Sequence, residues 1–513
     1  MDKELYARIS DWFDAHEEAL IEDICRIVRI PSVSDPDAEV KPFGQGCRDC
    51  MDEMLKIGRE HGFYTENYDY YTGSIGPKEK DWENMIGFWN HMDVVPVGND
   101  WGSDPFTPVR KGYFLIGRGA QDNKGPAIGV LYMMQCIREL GVDMKHQLCL
   151  FVGCDEERAM EDMAYHVKHY PTPAMSMIAD CGFPVCYGEK GILEGQMLSN
   201  KPYSGKILNC EGGNASNMIP DRASAELVYE EGLMNALEER KAEKRTEKNK
   251  AVAAEEKEPV EDTWDNISIE VVKAPEEKSA KKISVTAKGM SRHSAFPNGS
   301  RNAIYELASF LKGCKGLEEG DRAIFASLSY LSEEYFGANM DMSYEDEISG
   351  KTTCAATVLG CKDHRAELNF NIRYAITDTA ARLEEHLTKT AEEHGLSWNR
   401  ERNSSPNYFP KEHPAVKLLT DVYNEVADDN KESFVMGGGT YARKLPNAFA
   451  YGIGGMERND EDRRQEAEFF KPGHGGAHEP DEGLNLRLFM KAMKLYTMAI
   501  IAMNDCLLKM PTE

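Results

Sequence analysis

The chain has 513 residues, with 60 Lys and Arg against 87 Asp and Glu, a net charge of −27. That excess repels phosphate backbones and anionic lipid surfaces and sets aside nucleic-acid and membrane-surface binding. The length exceeds one ordinary core, so two domains are expected. No apolar run approaches the roughly 20 residues that span a bilayer, and Met1-Asp2-Lys3-Glu4-Leu5 is charged where a signal peptide would be apolar. A soluble cytoplasmic protein is expected. Thirteen Cys, an odd number scattered through the chain, read as reduced thiols. Cys47 and Cys50 have no second Cys or His pair beside them, so they read the same way.

Ile9, Phe13, Leu20, Ile24, Ile27 and Val28 recur at helical spacing and predict an N-terminal amphipathic helix that Pro31 ends. From about Asn84 the pattern changes to short apolar strands running into polar loops, 85–89 before His91 and 147–152 before Asp155, with a helix over 127–140 between them. Strands alternating with helices predict an α/β sheet, and such sheets bind ligands beyond the carboxyl ends of their strands. Residues 199–404 differ: strands are predicted at 223–229, 268–272, 283–287 and 366–374, and helices at 303–311, 324–335 and 379–394. This is an α+β segment inserted into the first domain, because the sequence after it supplies another candidate ligand. The expected domains are therefore 1–198 with 405–513, and 199–404. Residues 238–262, dense in Glu and Lys, read as a solvated helix fraying into a loop.

Five short motifs carry chemistry: Asn90-His91-Met92-Asp93, the turn Gly117 to Pro126 around Asp122, Asp155-Glu156-Glu157, Ala179-Asp180, and Gly476-Ala477-His478-Glu479. Two imidazoles and several carboxylates, placed after apolar stretches, are what a two-metal hydrolytic centre requires. The spacing of His91 and Asp93 lets one face a metal while the other supports it. Adjacent acids after an apolar strand are costly unless they are used. The Gly-rich turn before Asp122 lacks the spacing of a phosphate loop.

Together and in this order the motifs resemble the M20 family of metallopeptidases over most of the chain. Lys124-Gly125-Pro126, the segment Gly437 to Arg443 and the large inserted segment resemble its PepV-like dipeptidase branch. The resemblance implies a two-domain α/β metallopeptidase, with a zinc-peptidase-like catalytic domain and an inserted α+β lid. It implies that His91, Asp122 and Asp180 hold one metal, that Asp122, Glu157 and His478 hold the other, that Asp93 orients His91, and that Glu156 is the general base. His293, in Gly289-Met290-Ser291-Arg292-His293-Ser294, matches a lid residue that steadies the oxyanion. Asn217 and Arg373 match lid positions that contact substrate, and Gly439 and Arg443 lie in a segment that approaches it.

Mixed imidazole and carboxylate ligation suits Zn²⁺ first, with Mn²⁺ or Co²⁺ as alternatives. The implied reaction is hydrolysis of short unblocked peptides. Deacylation of N-acyl amino acids is the alternative within the family, and a catalytically silent binding protein the remote one, though no ligand or base is missing. The enlarged lid implies a monomer. Asn90, Cys154 and Asp481 stand where the family pattern has Gly, Thr and Asn, which bears on substrate preference more than on chemistry.

Overall fold

The strand Met85–His91 reads Met-Ile-Gly-Phe-Trp-Asn-His, and every residue in it is buried, the pattern of a central parallel strand covered on both faces. In the computed structural model, which describes residues 2–243, 263–273 and 281–509, it lies between Gln147–Gly153 and Met175–Ile178, parallel to both. Ala448–Tyr451 extends the parallel set beside Met175–Ile178. Antiparallel strands close the two sides, Thr72–Gly76 against Gln147–Gly153 and Val185–Glu189 against Ala448–Tyr451. Among the described residues this sheet has nine strands. Four parallel neighbours thus end at one edge, where the candidate ligands follow.

The helix Lys3–Val28 begins at Asp2, whose carboxylate accepts the N–H groups of Glu4 and Leu5 at 3.0 Å, a regular N-cap. It buries the apolar stripe read from the sequence and packs on the helices Lys124–Glu139 and Leu486–Ala502. Gly129 lets the last two approach: a Cβ there would fall 2.6 Å from the Met493 sulfur. The helix Glu161–His169 brings His166 against Trp89 and Tyr68, edge to face at 5.1 and 5.2 Å between ring centres. Its Nδ1 lies 2.7 Å from Thr72 Oγ1.

These elements, from residues 1–188 and 408–513, form one unit, and residues 189–407 form a second. Among the described residues the second is built on an eight-stranded sheet in the order Ile267–Lys273, Lys281–Lys288, Arg222–Val228, Ile207–Gly212, Thr353–Lys362, Arg365–Tyr374, Gly191–Ser199, Leu396–Ser404. Its pairings are antiparallel, and alternate residues are buried: Ala223, Ala225 and Leu227 on one strand, Ile283, Val285 and Ala287 on its neighbour. They share a core with Ile304, Leu307 and Phe310 of the helix Ala303–Leu311. Gly191–Ser199, assigned to the first domain by sequence, pairs with Arg365–Tyr374 and Leu396–Ser404. The second unit therefore starts at residue 189 rather than 199. The helix Glu231–Ala242 holds the start of the charge-dense stretch; 244–262 lie outside the described residues. All thirteen cysteines are free. Among the described residues, no helix is long and apolar enough to cross a membrane.

Burial holds the His166 imidazole down at about 4, from an ordinary 6.5. The unfolded chain therefore takes up this proton first, so the stability contributed by neutral His166 is full above pH 6.5 and is lost as pH falls towards 4. His166→Gln is expected to reduce the acid-dependent loss of stability by about 2 kcal/mol, read from urea unfolding at pH 7 and pH 4.5. An identical pH dependence in the variant would contradict it.

Candidate metal centre

Three neighbouring strands deliver the acidic and imidazole groups. His91 is the last residue of its strand, Asp155-Glu156-Glu157 follows Gly153, and Asp180 follows Ile178 by two residues. Asp122 stands just before the helix Lys124–Glu139. His91 Nε2 lies 3.0 Å from Asp122 Oδ1 and 3.5 Å from Asp180 Oδ2. His478 Nε2 lies 3.2 Å from Asp122 Oδ2 and 3.0 Å from Glu157 Oε1. One oxygen of Asp122 thus faces each imidazole.

Buried groups behind this cluster fix its backbone. Asp93 accepts the N–H groups of Glu156 and Glu157 at 3.2 and 3.1 Å, and Asp162 those of Cys154 and Asp155 at 2.7 and 2.9 Å. Two carboxylates so hold four consecutive amides, and Tyr441 donates its hydroxyl to Asp162. Asp93 also sets His91, whose Nδ1 is 2.9 Å from the Asp93 carbonyl. Such support orients metal-binding groups. Asn123 Nδ2 donates to Asp180 Oδ1 at 2.7 Å, and Asn90 Nδ2 donates to Asn123 Oδ1. The Asn at 90, where the family pattern has Gly, thereby fixes the amide that faces Asp180.

The Asp122 turn is held by Glu482. Its carboxylate accepts N–H from Gly119, Gln121 and Asp122 at 2.9–3.0 Å and pairs with Arg118 at 2.9 Å, both side chains 1% exposed. Arg118 in turn donates to the His478 carbonyl at 3.4 Å. One buried pair therefore ties the backbone at Asp122 to the backbone at His478.

The crowding of charge shows in the titration of each group. Burial opposes a charged His91, yet its contacts with Asp122, Asp180 and Asp93 carry it well above the ordinary imidazole value. Hydrogen bonds to Asp122 and Glu157 raise His478 to about 10. Burial pushes Asp122 up, but His478 and His91 outweigh it and hold the carboxyl below its usual range. Burial raises Glu156, Glu157 and Asp180.

Five carboxylates with two imidazoles are an excess of negative charge that divalent cations balance, and imidazole with carboxylate is a donor set such ions accept. His91, Asp122 and Glu157 present donor atoms all within 4.8 Å of one another, and so do His91, Glu156 and Asp180. The contacts of 3.0–3.5 Å match the roughly 3.4 Å between ligands on a tetrahedral ion with bonds of about 2.1 Å. The residues fit a metal.

The structure brings together His91, Asp93, Asp122, Glu156, Glu157, Asp180 and His478. Gly439 and Arg443 lie in the first unit but pack on each other: Arg443 donates to the Gly438 carbonyl at 2.8 Å, and a Cβ on Gly439 would strike its guanidinium. Tyr441, not singled out by sequence, is the residue of that segment that reaches the supports. Asn217, His293 and Arg373 belong to the second unit, in one polar cluster. Ser294 N–H donates to the Asn217 carbonyl at 2.8 Å, and Asn371 Oδ1 accepts from Ser294 Oγ and Arg373 Nε, each at 2.9 Å. Glu482, Arg118 and Asp162 were missed too. A buried charge announces itself in sequence only through its partner, here far along the chain.

The model of peptidase family M20/M25/M40 matches residues 87–502. A Bacillus subtilis (strain 168) protein named "Putative dipeptidase YtjP" is 29% identical over 494 residues, 94% of this chain and 97% of the relative. Among solved structures, the di-peptidase Dug1p of Saccharomyces cerevisiae superposes with a TM-score of 0.55 at 12% identity, covering 98% of each chain. Human carnosine dipeptidase 1 gives 0.53 at 12% identity, covering 97% of this chain and 99% of the other. These last two are likenesses of fold.

Glu482→Gln keeps the shape and removes the charge that Arg118 faces. It is expected to cost about 3 kcal/mol of unfolding free energy and to weaken divalent-cation binding at least tenfold, read by urea unfolding and calorimetric titration. Cation affinity within twofold of the parent protein would show that the Asp122 turn is held by other means.

Proposed function

Because the chain belongs to peptidase family M20/M25/M40 and is a peptide-bond hydrolase, we propose that it is a metal-dependent dipeptidase acting on short unblocked peptides. The relatives' names support the substrate class. In this reading residues 1–188 and 408–513 are the catalytic domain and residues 189–407 its lid. His91, Asp122 and Asp180 would hold one divalent cation and Asp122, Glu157 and His478 a second, with zinc first and manganese or cobalt as alternatives. When bound, the ions supply Lewis acidity, polarising the scissile carbonyl and making water a stronger acid.

The chain's own groups move the proton. Among the described residues nothing donates a hydrogen bond to the Glu156 carboxylate, whereas that of Glu157 is engaged by His478. This contrast supports the proposed division, in which Glu157 serves as a ligand and Glu156 takes a proton from water and returns it to the departing amine. Burial raises the Glu156 carboxyl well above its ordinary value. Asp93 keeps the two glutamates and His91 in register.

The lid would contribute His293, Asn217 and Arg373. Burial and the charge of Arg373 lower the His293 imidazole, and its Nδ1 accepts from Ala295 N–H at 3.2 Å. A neutral ring with Nδ1 occupied carries its proton on Nε2, the form that donates to a developing oxyanion. Arg373 presents a guanidinium suited to a peptide carboxylate. Gly439 and Arg443, which pack on each other, would add contacts from the catalytic domain. The reading includes a monomer in the cytoplasm with no nucleic-acid or membrane partner, in keeping with the net charge of −27.

The test is hydrolysis of free dipeptides against their N-acetyl and N-succinyl counterparts, using chelated protein refilled separately with Zn²⁺, Mn²⁺ and Co²⁺. Metal-dependent cleavage of the free dipeptides alone is expected, and cleavage of the acylated compounds alone would move the protein to the deacylases. Glu156→Gln is expected to lower kcat by about 10² to 10⁴ with cation content unchanged. Full turnover in that variant would remove Glu156 from the role of base.

A further inference from the structure

Within the first unit, on the flank of the metal centre, is a cavity of about 450 Å³, within the roughly 300–1,000 Å³ of small-molecule sites. Its walls include the turn that carries Asp122 and the segment paired with the residues after Asp180. Gln121 lines it and immediately precedes Asp122. Gly454 lines it and pairs with Gly182, two residues beyond Asp180. Met456, Leu488 and Phe489 give it an apolar wall, beside the polar Gln121 and Asn485. Arg458 and Arg463 at its edge are exposed and form surface pairs with Glu466 at 2.9 Å and Asp460 at 3.2 Å, and no carboxylate is among its lining residues, so the charge the cavity presents is positive. None of the residues given a role in hydrolysis above lines it.

We propose that this cavity receives an uncharged apolar side chain of the substrate, of leucine to phenylalanine size, while the peptide bond lies at the metal centre. The assignment rests on the dipeptidase reading and narrows it. An apolar side chain gains by leaving water for such a lining, whereas an ammonium would enter beside two guanidiniums with no carboxylate to meet it. The cavity thus selects leucyl and phenylalanyl dipeptides over glycyl-glycine and over lysyl ones. Met456 is buried and lies in the loop after Gly455, outside any helix or strand, so a change in its size alters the cavity lining directly.

The experiment compares kcat/KM of the metal-loaded protein for Leu-Gly, Gly-Leu, Phe-Gly, Lys-Gly and Gly-Gly, in the parent chain and in Met456→Trp and Met456→Ala. The parent is expected to favour leucine or phenylalanine over glycine and lysine at least tenfold, the scale on which apolar pockets discriminate. Met456→Trp is expected to lower the ratio of leucine-bearing dipeptide to Gly-Gly at least tenfold, in whichever order of residues the parent prefers. Met456→Ala is expected to shift preference from leucine towards phenylalanine. Ratios that neither variant moves overturn the cavity assignment, and should Met456→Trp lose all activity, Met456→Ala alone decides. A parent silent on every free dipeptide contradicts the dipeptidase reading instead. The same ratios are then taken on N-acetyl-leucine, N-acetyl-phenylalanine and N-acetyl-glycine, and constancy there again overturns the cavity.

Discussion

Asp93, Asp122, Glu156, Glu157 and Asp180 crowd the carboxyl ends of neighbouring strands, and like charges so close coexist in a buried place only when each meets a counter-charge or a fixed donor. The structure answers carboxylate by carboxylate. Asp93 takes two backbone amides, Asp180 takes the Asn123 side chain, and Asp122 faces one imidazole with each oxygen. Glu157 meets His478, and Glu156 alone is left without a hydrogen-bond donor among the described residues. That inequality underlies the proposed division of roles between Glu157 and Glu156.

Rigidity at the centre comes from charges that never touch the reacting groups. Arg118 and Glu482 are both 1% exposed, and between them they bind three amides of the Asp122 turn and the carbonyl of His478. A buried ion pair is poor evidence of net stability, since desolvation consumes much of its attraction. Its use here is geometric: it joins a turn near residue 120 to one near residue 480. Asp162 plays a like part behind Glu156, with Tyr441 as its partner.

Local signals were legible in the sequence, and long-range ones were not. The stripe from Ile9 to Val28 and the helix at 303–311 emerged with the spacing the sequence predicts, because burial of one face leaves a period in the residues themselves. Of the seven residues that meet at the centre, His91, Asp93, Glu156, Glu157 and Asp180 follow apolar runs that mark strands, whereas Asp122 and His478 lie in turns and stand out through the resemblance to the M20 family. Gly191–Ser199 was placed with the wrong unit: its glycines weaken the strand signal, and its partners lie over 160 residues away. Glu482 sits in Pro480-Asp481-Glu482-Gly483, which reads as an ordinary polar turn, and its partner Arg118 is 364 residues distant. Asn90 looked like a departure from pattern until the structure showed it bonded to Asn123.

The central claim is that Asp122 is shared by two cation sites. It is tested most directly by counting Zn²⁺ bound at equilibrium to chelator-stripped protein and to Asp122→Asn, by dialysis and elemental analysis. The account predicts two ions per chain in the parent and at most one in the variant. A single ion in the parent, or two in both, would contradict it.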